Sequence, residues 1–165
     1  MKTMTDLNLH FLQDIYYAER QILKALPKMA KAAESEKLKQ AFTHHREETE
    51  GQIERLQKAF ESFGKRARGT TCEALNGLVE EADDVVETFE AGPVRDAGLI
   101  ACAQAVEHYE MARYGALIAW AKASGHNDIV GLLEQTLEEE KKADTLLNQL
   151  ANTEINQQAS RKAAA

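Results

Sequence analysis

The sequence predicts an all-α protein: four long amphipathic helices in two hairpins, with a short fifth helix in the connection between the pairs. Three observations carry this. Chain breakers are scarce, nine glycines and two prolines in 165 residues, while Ala, Glu, Leu, Lys and Gln are abundant. Apolar residues recur three and four positions apart in four long stretches. A crossover of roughly thirty residues separates the second stretch from the third, which marks a bundle with one long connection. At 18.4 kDa and 44% apolar residues, the chain can bury one good core and is too short for two ordinary domains. Residues 1–165 are therefore expected to form one domain, with an ordered bundle over about 5–152 and a frayed tail over 154–165.

The first helix is expected from about Thr5, with Asp6 and Asn8 beside its cap, to about Ala33. Leu12, Ile15, Tyr16, Ile22, Leu23 and Leu26 form its stripe, and Glu19 lies at the centre. Pro27 cannot donate the hydrogen bond to position 23 and should kink the helix. Glu34 to Lys37 mark a turn, Ser35 caps the second helix, and Gly64 stops it after Phe63. The stripe of this helix, from Leu38 and Phe42 through Gln52 to Leu56 and Phe60, contains His45; Glu48 lies about 60° away. After the basic segment Lys65 to Thr71, a shorter helix from about Cys72 to Phe89 fills the crossover. Ala91, Gly92 and Pro93 break the chain before the fourth helix, which runs to about Ala123 and is closed by Gly125. Asn127 or Asp128 is expected to cap the fifth, which runs to about Thr153. Its stripe of Ile129, Leu133, Leu137 and Leu147 has Glu140 at the centre and Asp144 about 40° away.

Charge and composition exclude several classes of function. A net charge of -7 argues against nucleic acid as a partner. No run of eighteen apolar residues exists, so no membrane span and no membrane partner are expected. The opening MKTMTDLNLH lacks the apolar region of a secretory signal. Cys72 and Cys102 have no CxxC spacing and read as buried free thiols of a reducing, cytoplasmic compartment.

The chemistry lies in the acids that interrupt the stripes. Ile100 to Ala119 is apolar enough for a buried helix, yet it carries Glu107 and Glu110 in its middle. Ile100, Met111, Tyr114 and Ile118 all fall within about 40° of Glu107, so this carboxylate sits in the centre of the stripe. A buried carboxylate needs a cation, a proton or a metal. Glu19 lies fifteen residues before Glu34, and His45 and Glu48 lie eleven and fourteen after it. Glu107 lies eighteen before Gly125, and Glu140 and Asp144 lie fifteen and nineteen after it. At about 1.5 Å per residue, these side chains reach one level of the bundle, within about a turn. Carboxylates and an imidazole converging there make a site for two divalent metal ions, iron or manganese first and zinc next, open to dioxygen or peroxide. Tyr16, Tyr17, Tyr109 and Tyr114 could hydrogen-bond these acids or supply a redox-active phenol, though as amphipathic core residues they need do neither.

The segments LQDIYYAERQILKALPKMA, HHREETEGQIERL, TCEALNGLVEEA, AVEHYEMARYGALIAWA and LLEQTLEEEKKADTLL resemble the YciE/YciF family of bacterial ferritin-like stress proteins, over about residues 5–152. The resemblance implies a ferritin-like four-helix bundle with an extra crossover helix, a homodimer, and a link to stress. In the wider ferritin-like and rubrerythrin group, helices one and three each give a Glu, and helices two and four each give Glu-x-x-His. By position, Glu19 and Glu107 correspond to the first kind, and Glu107-x-x-Glu110 resembles the rubrerythrin arrangement. This sequence departs in two places: His45-x-x-Glu48 reverses the order, and Glu140 is followed by Asp144 with no histidine. The implied ligand set is Glu19, His45, Glu48, Glu107, Glu110, Glu140 and Asp144. In it Glu19 and Glu140 are terminal, Glu107 and Glu48 bridge, His45 fixes one ion, and Glu110 or Asp144 completes the shell.

Blander readings compete. His10, His44, His108, Glu80, Glu81 and Glu139 read as surface or structural residues. The whole chain could be a non-catalytic homodimeric bundle whose buried acids are neutralised by protons or by Arg20, Arg55 or Arg113. A third alternative, an iron-storage or DNA-protecting cage, requires a large shell and sits poorly with the acidic charge.

Overall fold

The protein is described here over residues 1–162 of a computed structural model. Among the described residues there is no strand, and the order of helices is the expected one. α1 spans Met4–Ala32, α2 Glu36–Ser62, α3 Glu73–Thr88, α4 Pro93–Ser124 and α5 Val130–Leu150. Helix α1 packs on α2 and α4 on α5, while α1–α4 and α2–α5 contacts join the two hairpins. The short α3 lies outside the ring against α4 and α1, burying Leu75 and Ala82.

Helix ends follow local chemistry. Thr3, not Thr5, caps α1: its Oγ1 accepts from Asp6 N at 3.2 Å, and Asp6 Oδ2 accepts from Thr3 N at 2.7 Å. This reciprocal capping box satisfies two donors at once, which a cap at Thr5 would not. Pro27 sits inside α1, whose helical course continues unbroken to Ala32. Pro27 is solvent-exposed, so the Leu23 carbonyl it leaves unbonded can be hydrated, while Leu26 and Met29 anchor the turn in the core. Gly64 (φ 62°) and Gly125 (φ 82°) end α2 and α4 in the left-handed conformation. Neither Asn127 nor Asp128 caps α5; a 3-10 turn, Asn127–Ile129, leads into it and buries Ile129. His126, at the head of that turn, stacks on Phe63 with ring centroids 4.1 Å apart. Over 154–162 the expected frayed tail is replaced by helix, and residues 163–165 of that expectation lie outside the described residues. A wide π turn, Ala151–Ile155, resets the register so that Ile155 is buried, and α6 follows over Asn156–Lys162. Lys37 Nζ, 2.6 Å from Glu154 Oε2, holds that turn to α2.

Two tertiary links fasten the connections to the bundle. Asp96, in the first turn of α4 and buried, accepts from Glu34 N and Ser35 N at 2.8 Å each. It fastens the start of α4 to the α1–α2 turn. Replacing Asp96 with Ala removes both acceptors and is expected to cost about 2–4 kcal/mol, read as a lower midpoint in urea unfolding at unchanged slope. The crossover is tied down by Thr70 N, which donates to Gln13 O at 3.1 Å. Beside it, a Cβ on Gly69 would come within 2.9 Å of Tyr17 Cβ, so only glycine allows this approach.

The core divides around a polar level. Leu12, Ile15, Leu56, Phe60, Leu117 and Leu133 are buried toward the Gly64 and Gly125 end, where Tyr16 meets Phe60 edge-on. Leu26, Leu38, Leu99, Ile100 and Leu147 are buried toward the Asp96 end. Between them stand Glu19, His45, Glu107, Glu110 and Glu140, all buried. Among the described residues, no helix is long and apolar enough to cross a membrane.

Candidate metal centre

Each long helix delivers its polar residue from the middle of its apolar stripe, so packing the stripes drives the acids inward. One ligand atom each from His45, Glu107, Glu110 and Glu140 lies within 4.8 Å of all the others. Donors held at about 2.0–2.3 Å on opposite sides of one ion stand at about that separation. His45 Nε2 is 3.3 Å from Glu107 Oε1 and 3.6 Å from Glu140 Oε2. Its Nδ1 is 3.3 Å from Glu48 Oε2. Glu48, on the half-exposed side, thus stands behind the ring. With the proton on Nδ1 and shared with Glu48, the Nε2 lone pair points into the cluster, as a ligating histidine requires.

Glu19 adjoins the cluster from α1. Tyr114 donates its hydroxyl proton to Glu19 Oε1, and Glu19 Oε2 has no partner. His45 Nε2, Glu107 Oε2, both oxygens of Glu110 and Glu140 Oε2 are likewise buried without a hydrogen bond. Six unpaired ligand atoms in one place are far beyond what a native core tolerates without a positive charge to satisfy them. Besides Tyr114, α2 supplies a donor, Gln52 Nε2, to Glu140 Oε1.

Burial shifts the protonation of these groups. It pushes Glu19 up to about 8, with the Glu140 charge adding to it and the Tyr114 hydrogen bond opposing. It also pushes Glu107 up to about 8. Glu110 is raised well above the carboxylate range by burial and by the charges of Glu140, Glu19 and Glu107. Glu140 is raised by burial and by Glu107, against His45. For His45, burial favours the neutral ring, but the Glu48 hydrogen bond and the Glu140 and Glu19 charges outweigh it and the net shift is upward. The His45 hydrogen bond lowers Glu48.

Of the seven residues singled out in the sequence, the structure gathers Glu19, His45, Glu107, Glu110 and Glu140 in the buried level. Glu48 and Asp144 are not among the converging atoms. Asp144 lies one turn beyond Glu140, about 6 Å along the axis. There it accepts from Gln104 Nε2 at 3.0 Å, with the exposed His108 3.3 Å away. Glu139, read as solvated, is half-buried and paired with Arg55, whose Nε also donates to Thr136 at 2.9 Å. Arg113 lies 3.6 Å from Asp14 and over the Phe11 and Tyr109 rings, and Arg20 over Tyr16. Among the described residues, none of the three arginines pairs with a buried acid of the cluster. Of the tyrosines, Tyr114 bonds Glu19, whereas Tyr109 turns away, donating to Asp14 at 2.7 Å beside the Cys72 thiol at 2.9 Å. Sequence reasoning missed Gln52 as a partner of the site. Its signal was present: a Gln inside an apolar stripe, one turn past Glu48.

Residues 3–160 match the family described as a domain of unknown function, DUF892. The chain is 48% identical to the protein YciF of Escherichia coli K12 over 164 residues, 99% of either chain. The crystal structure of that E. coli stress protein superposes with a TM-score of 0.90, covering 94% of this chain and 99% of that one. YcfI of Rhodopseudomonas palustris, called a candidate structural protein, shares 54% identity at a TM-score of 0.87, with 89% and 94% of the two chains covered. A Xanthomonas campestris protein shares the fold alone, at 20% identity and a TM-score of 0.76 over 97% and 99% of the chains.

Proposed function

The chain belongs to the DUF892 family, with YciF as a close relative, and from that premise we propose that it is a stress protein that binds two divalent metal ions. The observation that carries this is the convergence of Glu19, His45, Glu107, Glu110 and Glu140 in a buried level with six unpaired ligand atoms. Charge counting supports two ions rather than one. Glu19, Glu107, Glu110 and Glu140, all ionised, carry four negative charges, which two divalent ions neutralise with His45 neutral. One ion would leave two acids to protonate. Carboxylate-rich donors with one imidazole suit iron or manganese, and zinc after them.

The residues divide the work. Glu107, Glu110 and Glu140 face one another across the α4–α5 contact and hold the ions with His45; Glu19 closes the site from α1, oriented by Tyr114. Glu48 keeps the His45 tautomer, and Gln52 keeps the Glu140 rotamer. A pair of Fe(II) ions supplies two electrons when bound, enough to turn one peroxide and two protons into two waters. We propose small oxidants, dioxygen or peroxide, as the substrates and a homodimer as the working form, the latter read from the mass in solution. With protein loaded anaerobically with Fe(II), one hydrogen peroxide should be consumed for every two Fe(II) oxidised, faster than by Fe(II) with the Glu140→Ala variant. Equal rates for the two would remove the catalytic reading.

The second reading, a non-catalytic bundle with its acids held neutral, keeps only its proton form. The raised carboxyls favour it in the metal-free protein, and Arg20, Arg55 and Arg113 are engaged elsewhere. Tight binding of metal at neutral pH would displace those protons and separate the two readings.

A further inference from the structure

We infer that the cavity between α2, α4 and α5 is a binding site for a small, uncharged, mainly apolar molecule with one terminal oxygen function, such as a phenol or a short alkyl hydroperoxide. The cavity has a volume of about 170 Å³. Its floor is His45 and Glu107, and its mouth lies beside Lys142 and the exposed Leu146. It exists because three alanines from three helices, Ala41, Ala103 and Ala143, face one another where larger side chains would close the bundle.

Size and polarity fix the ligand class. An apolar cavity of about 150 Å³ takes a molecule as large as benzene, so this one suits roughly six to nine non-hydrogen atoms. The walls between mouth and floor are mainly Phe42, Leu26, Leu147 and the alanines; His44 and Glu48 also line them, but lie 3.5 Å from each other, and Glu48 also faces His45 Nδ1. A sugar, nucleotide or amino acid would lose its hydration there without replacement. With Lys142 at the mouth and His44 and Glu48 turned to each other, the polar groups left for a ligand sit at the bottom, on the ligand-bearing side of His45 and Glu107, so a single oxygen at the leading end of the molecule meets them. A second, mainly apolar cavity of about 30 Å³ under α3 reaches the same two residues from the side of Ile22, Val79 and Cys102. It has room for about one diatomic molecule beside the larger ligand.

The inference rests on the two-metal reading only for what the leading oxygen touches; the cavity belongs to the protein with or without metal. Phenol is the probe, titrated by NMR into the full chain, metal-free and loaded with Mn(II). Saturable binding is expected in both forms, with Mn(II) broadening of the phenol protons in the loaded one. Ala143→Leu and, from the opposite wall, Ala41→Leu should each weaken phenol at least about tenfold while the metal content stays that of the parent. Two variants on different helices guard against a local change in α5. Non-saturable association, or equal affinity in parent and both variants, overturns the inference. Absence of Mn(II) binding would overturn the metal reading alone, since the metal-free titration still decides the cavity.

Discussion

Glu110→Gln is expected to make the metal-free protein more stable at pH 8 and to remove the stabilisation that metal confers. Glu110 is fully buried, neither of its oxygens has a hydrogen bond, and the carboxylates of Glu19, Glu107 and Glu140 surround it. As a charge it is desolvated and repelled; as a proton carrier it must hold a proton well above its usual range. A glutamine of the same shape carries no charge and turns a repulsion into a donor for a neighbouring carboxylate. Relief of a buried unpaired charge is worth on the order of 1–3 kcal/mol, about 3–10 °C in a domain of this size. The same change deletes one of four converging ligands, so Mn(II) or Fe(II) should no longer raise the melting temperature. Thermal melts with chelator and with metal, parent beside variant, read both effects. A variant less stable without metal, yet still stabilised by it, would show that Glu110 is satisfied by something else.

The second large effect is an inversion of pH dependence by metal. Glu19 and Glu107 rise from the usual 4.5 to about 8 in the folded protein. Below about pH 4.5 both folded and unfolded chains hold these protons, and the stabilisation is complete. Between 4.5 and 8 the unfolded chain releases them while the folded chain keeps them, so stability falls as pH rises. The limit is about 1.4 kcal/mol per pH unit for each such group. His45 acts in the same direction, since its raised value stabilises below about 6.5 and is lost above it. Glu48, lowered by His45, opposes only as pH falls below 4.5. Chelator-treated protein should therefore melt lower at pH 8 than at pH 5.5. Metal competes with the protons and binds more tightly as pH rises, so loaded protein should lose this slope or reverse it. Parallel profiles with and without metal would contradict the assignment.

Much of this architecture was legible because helix periodicity is a local property. Glu19, His45, Glu107 and Glu140 stand at the centres of their stripes, and counting residues from the turns placed them at one height. What could not be read was rotation and reach. Glu48 and Asp144 lie on the correct faces, yet one faces the back of the His45 ring and the other a Gln104–His108 contact a turn away. A 3.6-residue repeat cannot separate such neighbours. The contacts of Gln52, which reaches both Glu139 and Glu140, and of Arg55, which takes Glu139, escaped for the same reason: they depend on the α2–α5 contact. The segment after Thr153 looked polar, and only the π turn brings Ile155 inward. Nothing in the sequence singles out Asp96, because its partners at Glu34 and Ser35 are remote in sequence.

The most direct test is elemental analysis after anaerobic incubation with Fe(II) or Mn(II), for the parent protein and for Glu107→Ala. Two ions per chain in the parent, lost in a variant that remains folded, is the predicted result. No metal in either, from protein folded throughout, would contradict it and leave a bundle whose buried acids are held by protons.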